Sequence, residues 1–136
     1  PLPGGDVDDD TAAQAVLRRD ASGLGFAADT ADVLFAHYGS RARSVLALAA
    51  SDPRLAERAT SDGEPLAAVA WAVRDEAPEH LTDVLLRRTG IGRLQDPGER
   101  ILGLAADIMA EARSWSRERT AAELAEARTA VRLPVD

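Results

Sequence analysis

The sequence predicts an all-α fold, a single domain of about six or seven helices in an orthogonal or irregular bundle. Three observations carry that expectation. Apolar residues recur at helical spacing in one segment after another. No stretch of four to eight residues alternates like a strand rich in Val, Ile, Thr and aromatics. The composition also favours helix: Ala is abundant and all 16 basic residues are Arg, and both are strong helix formers.

Residues 1–10 are rich in Gly, Pro and Asp and read as an acidic linker or disordered tail. Residues 11–133 form the expected helical domain. A first helix spans Thr11–Asp20, with Ala15, Val16 and Arg19 as a weak stripe. Ala21–Phe26 is a Gly-containing loop. Ala27–Tyr38 is helical, with Asp29 or Thr30 as its cap and Val33, Leu34 and His37 on one face. Gly39 ends it, and Ser40 is expected to cap the next helix, Arg41–Ala50, whose apolar side is Val45, Leu46 and Ala49.

Asp52-Pro53 is a strong start signal, with Asp as cap and Pro in the first turn. That helix is short and ends by Ala59. Pro65 opens the next, in which Leu66, Val69, Ala70 and Val73 share a face. Pro78 ends, kinks or restarts it. His80–Arg88 continues with Leu81, Val84, Leu85 and Arg88 on one side. Gly90–Pro97 is a loop. Gly98–Trp115 is a long amphipathic helix with Ile101, Leu104, Ala105, Ile108 and Ala112 in line. Ser116 caps a last helix with a thin stripe of Leu124, Ala127 and Val131.

The composition excludes several classes of function. The chain has 136 residues, enough for one modest core. It starts at Pro1 rather than Met, as an excised or processed segment would, and shows no signal-peptide pattern. No run approaches the ~18 apolar residues that span a membrane. Absence of Cys removes disulfides and thiol chemistry, and fits a cytoplasmic setting; absence of Lys removes Schiff-base chemistry. The net charge is −7 and the Arg residues are dispersed, which gives no footprint for nucleic acid. Asp6, Asp8, Asp9 and Asp10 lack the spacing of a calcium loop and read as a solvated cluster favouring a nearby helix N-terminus.

No catalytic, cofactor-binding or metal residue is assigned from the pattern. Gly90-Ile91-Gly92 lacks a third Gly at Gln95 and lacks a preceding strand, so it fails as a dinucleotide fingerprint. It reads instead as a helix end in which Gly90 takes the left-handed conformation. His37 and His80, the two histidines, have no metal-ligand or triad spacing around them.

The charges of Trp71–Gly92 are the remaining signal. Asp83 and Arg87 stand four apart with the acid first, the favoured order for a helical ion pair. Arg88 falls on the Leu81–Val84–Leu85 face and is expected to be partly buried, with Glu76 as its preferred partner.

The ordered set of Tyr38-Gly39-Ser40, Val73-Arg74-Asp75-Glu76, Leu81-Thr82-Asp83-Val84-Leu85 with Arg87-Arg88-Thr89, and Ala105-Ala106-Asp107-Ile108-Met109 resembles the C-terminal helical domain of FAD-dependent glycerol-3-phosphate dehydrogenases. The likeness extends from about Thr11 to Arg128 and departs from the family pattern at Trp71 and Pro78. Glu76, Asp83, Arg87, Arg88 and Thr89 form its structural signature.

The resemblance implies a parent enzyme that oxidises sn-glycerol 3-phosphate to dihydroxyacetone phosphate, passing electrons through FAD to a quinone at the cytoplasmic face of the membrane. It implies that FAD and the substrate residues belong to a preceding domain, with no cofactor in this fragment. The expected partner is that FAD-binding domain of the same polypeptide, with homodimer contacts as a further expectation. The alternative is a free-standing helical protein-interaction module.

Overall fold

A computed structural model of the chain describes residues 7–92 and 96–132. The expected tail at positions 1–6, positions 93–95 of the loop after Gly90, and positions 133–136 lie outside the described residues. The fold is all-α. The helices are α1 (Val7–Gly23), α2 (Ala28–Tyr38), α3 (Ala42–Ser51), the single turn α4 (Pro53–Ala56), α5 (Ala67–Glu76), α6 (Leu81–Asp83, continuing as a π turn over Val84–Arg88), α7 (Glu99–Arg113) and α8 (Arg117–Arg132). A 3-10 turn, Gly39–Arg41, joins α2 to α3.

Helix α1 begins at Val7, four residues before the start expected from sequence. Its buried positions are Leu17 and Ala21, whereas Val16 is exposed. Helix α3 packs against α2, α4 and α5; α5 and α8 both pack on α7, and α8 also covers α6. The core is built from Leu34, Val45, Leu46, Leu66, Val69, Leu81, Leu85, Leu102 and Met109, all 2% exposed or less. Small residues let the helices approach closely: Ala31, Ala49, Ala67, Ala105 and Ala127 are fully buried.

Several start and stop signals act as the sequence predicts. Asp52 Oδ1 accepts the Arg54 N–H at 2.9 Å, and Ser116 Oγ accepts that of Arg119 at 3.0 Å. Gly39, at φ 55°, closes α2 through its N–H to the Phe35 carbonyl. Ahead of Pro78, helix α5 stops at a left-handed Ala77 (φ 46°, ψ 53°).

Other expectations are corrected. Ser40 does not cap α3, because the intervening 3-10 turn makes Arg41 the flanking residue. Neither Asp29 nor Thr30 caps α2. The Asp29 carboxylate is drawn to the Arg58 guanidinium, and the buried Thr30 hydroxyl donates to the Gly63 carbonyl at 2.7 Å. On α7 the expected stripe is rotated. Ala112 is exposed, while Leu102, Ala106 and Met109 are buried, because α7 is covered by α5 on one side and α8 on the other.

The loop after α4 is tight. Arg58 pairs with Pro65 in an isolated antiparallel bridge, Ala59 N–H donates to the Glu64 carbonyl at 2.8 Å, and Leu66 N–H donates to that of Glu57 at 2.9 Å. Gly63 makes this loop possible. Its φ is +98°, and a Cβ there would stand 2.9 Å from the Thr30 backbone N and Oγ1. Gly63→Ala therefore combines backbone strain with a clash against α2, and should destabilise the fold by roughly 2–4 kcal/mol. Urea denaturation measures this; a loss under about 0.5 kcal/mol would contradict the packing described.

Candidate functional site

The signature segment is held at both ends by carboxylates from distant parts of the chain. At its start, the Glu123 side chain of α8 accepts the Leu81 N–H at 2.9 Å. Just past its end, the Glu64 side chain accepts the Gly90 N–H at 2.8 Å. Both acids are almost fully buried, at 5% and 1% exposure. The Leu81 contact is buried and the Gly90 contact part-buried; a buried donor left unmet costs about 1–3 kcal/mol.

The two carboxyls are shifted in opposite directions. Burial dominates at Glu64 and pushes its pKa up, outweighing the Gly90 N–H and nearby His37. His37 Nδ1 lies 3.4 Å from Glu64 Oε2, long for a hydrogen bond. Burial would also raise Glu123, but the His80 hydrogen bond, the Leu81 amide and Arg119 outweigh it and hold this carboxyl below the usual range. His80 Nδ1 is 3.0 Å from Glu123 Oε2, and that bond raises the imidazole pKa. Arg119 Nε reaches the same oxygen at 3.3 Å. The Arg119 guanidinium also donates to the Glu79 carbonyl at 2.9 Å and lies 4.8 Å from the centre of the Trp115 ring.

Between these anchors the helix widens. The Thr89 N–H donates to the Val84 carbonyl at 3.0 Å, the i→i+5 closure of a π turn. The buried Thr89 hydroxyl donates to the same carbonyl at 3.0 Å and accepts the Ile91 N–H at 3.2 Å. In this wider turn, residues four apart no longer stack as in an α-helix. Two sequence expectations fail for that reason. Asp83 and Arg87 form no ion pair among the described residues, and Arg88 leaves the Leu81–Val84–Leu85 face, its side chain 49% exposed rather than buried. Its partner is nonetheless Glu76, with Nε to Oε2 at 2.8 Å.

Gly90 is corrected too, since its φ is not positive. A Cβ here would stand 2.9 Å from Glu64 Oε1 and would push that carboxyl off the Gly90 N–H. Gly92 is closely packed as well: its N–H donates to the Leu85 carbonyl at 3.0 Å, and a Cβ would meet Val131 Cγ1 at 3.0 Å. The Gly-x-Gly is thus a close-packing motif.

The π turn, α2 and α5 frame a cavity of about 360 Å³ whose lining includes His37, Tyr38, Arg41, Trp71, Arg87 and Arg88. Arg41 pairs with Asp75 at 3.5 Å across it. Burial, with Glu64 and Glu76 nearby, raises the pKa of the Tyr38 phenol and keeps it protonated. Elsewhere, His80, Glu123 and Glu126 bring potential ligand atoms within 4.8 Å of one another. Arg119 already supplies positive charge at Glu123, so that group is a charged helix cap. Neither buried acid stood out in the sequence. Glu123 was detectable, since Glu123, Ala127 and Val131 repeat every fourth residue along α8 and all three are buried. Glu64 had only its place between Gly63 and Pro65 as a signal.

The sequence matches the family of the C-terminal domain of alpha-glycerophosphate oxidase over residues 1–120. The chain belongs to this family. As a member of it, the chain is a C-terminal domain of glycerophosphate oxidase-like enzymes, and the expected resemblance is met in kind. No curated protein and no solved structure matches the chain. Within this family member, α6 and its π turn are the part most tightly fixed by buried polar contacts.

The His80–Glu123 contact has a defined pH signature. Its folded imidazole pKa is raised from 6.5, so its stabilisation is complete below that value and is lost as pH rises through the folded pKa. The stability difference between the parent and His80→Gln should therefore shrink as pH rises above 6.5 and through the folded imidazole pKa. Urea midpoints across that range check it; a difference independent of pH would mean that the contact carries no charge.

Proposed function

We propose that this domain is a non-catalytic helical cap, packed on the FAD- and substrate-binding domain of the same polypeptide. The whole enzyme would oxidise sn-glycerol 3-phosphate to dihydroxyacetone phosphate, with hydride passing to FAD and electrons then to a quinone at the membrane surface. Family membership over residues 1–120 carries this reading. Two features of the chain support it. Glu64 and Glu123 are committed to backbone N–H groups, a structural use of charge. Half-buried Trp115 and Leu124 border a groove of about 650 Å³ between α7 and α8, and we assign the flavin-bearing domain to that apolar strip. No helix among the described residues is long and apolar enough to cross a membrane, which suits a surface association of the parent.

The polypeptide that contains this chain, purified whole, should carry a visible flavin that sn-glycerol 3-phosphate bleaches under anaerobic conditions. A soluble quinone should restore the colour faster than oxygen does, and residues 1–136 alone should retain no flavin. A colourless whole polypeptide without glycerol-3-phosphate-dependent electron transfer would overturn the reading in favour of a free-standing interaction module.

A further inference from the structure

The cavity between α2, α5 and the π turn has its acidic groups occupied and several donors free. Glu76 is tied to Arg88 at 2.8 Å and Asp75 to Arg41 at 3.5 Å. By contrast, Arg87, Tyr38 and Trp71 line the same cavity, and their guanidinium, hydroxyl and indole N–H meet no acceptor among the described residues. Three guanidiniums against two carboxylates make this lining locally positive in a chain whose net charge is −7. The backbone supplies a second, independent observation. An isolated π turn is costly and tends to occur at functional positions. Here it takes Arg87 out of register with Asp83 and sets it at the cavity.

We propose that this cavity binds a small oxyanion, with Arg87 as the principal cationic contact and Tyr38 and Trp71 as neutral donors. A guanidinium presents a planar fork of N–H groups that matches two oxygens of a phosphate or carboxylate. The cavity of about 360 Å³ lies at the small end of the ligand-pocket range, roughly 300–1,000 Å³. Asp75 and Glu76 restrict the site to ions of low charge, because each further negative charge meets a carboxylate already present. Tyr38 stays protonated across the neutral range and keeps its proton to donate. The site lies wholly within this chain and does not depend on the flavin-bearing domain.

Trp71 lines the cavity and serves as a reporter once Trp115 is replaced by Phe. Titration of the Trp115→Phe chain with inorganic phosphate, at ionic strength held constant with chloride, should give a saturable change in Trp71 fluorescence. Arg87→Gln in that background should weaken binding by about tenfold. Arg19→Gln, at an exposed position on α1, should leave it unchanged. Arg87 is itself exposed, so circular dichroism should show the variant folded; Tyr38→Phe gives a second, smaller loss if it is not. A parent with no saturable response, or an Arg87→Gln affinity equal to that of the parent, would overturn the proposal.

Discussion

The segment from Leu81 to Gly92 depends on two buried carboxylates that reach it from elsewhere in the chain. A helix leaves unpaired N–H groups at its start, and the chain beyond its end must also find partners for its own. Most helices meet this need with a neighbouring Ser, Thr, Asp or Asn. Here the flanking His80 makes no side-chain cap, and Glu123 supplies the acceptor from 42 residues away. Glu64 supplies the other from 26 residues away. The short α6 is thereby fixed to α8 at one end and to the loop before α5 at the other. Thr89 completes the arrangement by closing the π turn with both its amide and its hydroxyl.

The same carboxyl group is shifted in opposite directions at the two ends. Glu64 lies among groups that cannot repay its desolvation, and burial raises its pKa. Glu123 has an imidazole, an amide and a guanidinium around it and remains ionised more readily than an ordinary Glu. A carboxylate surrounded by donors is held in its charged form despite burial, whereas one with few donors holds its proton more readily than an ordinary Glu. This arrangement also forms the cavity. Fixing both ends while widening the middle sends Arg87 and Arg88 outward to meet α2 and α5. Surface ion pairs such as Arg54–Glu111 and Arg100–Glu57 join the helices elsewhere, but exposed pairs contribute only about 0–1 kcal/mol each.

The fold class, most helix positions and the family signature were legible in the sequence because they rest on local patterns. Asp52-Pro53, Gly39 and Ser116 act on backbone groups a few residues away, and local spacing is enough to find them. Three kinds of feature escaped. The π turn is set by Thr89 and by the anchors at both ends, and a strict helical period applied through it put Arg88 on the wrong face. Gly90 looked like a left-handed helix end, yet the group crowding it is the Glu64 carboxyl, which no local rule connects to it. Glu64 and Glu123 look like solvated acids until the partners they meet in space are known. In each case a contact more than 20 residues distant in sequence overrides the local preference. The Arg88–Glu76 pair was found because charge complementarity constrained it even where the face assignment was wrong.

Amide hydrogen exchange at Leu81 and Gly90 tests the two-anchor account most directly. Both amides should exchange slowly in the parent. Glu123→Leu should speed exchange at Leu81 more than at Gly90, and Glu64→Leu should do the reverse. Fast exchange at both amides in the parent, at the rate of an exposed loop, or equal acceleration of the two by either substitution, would contradict it.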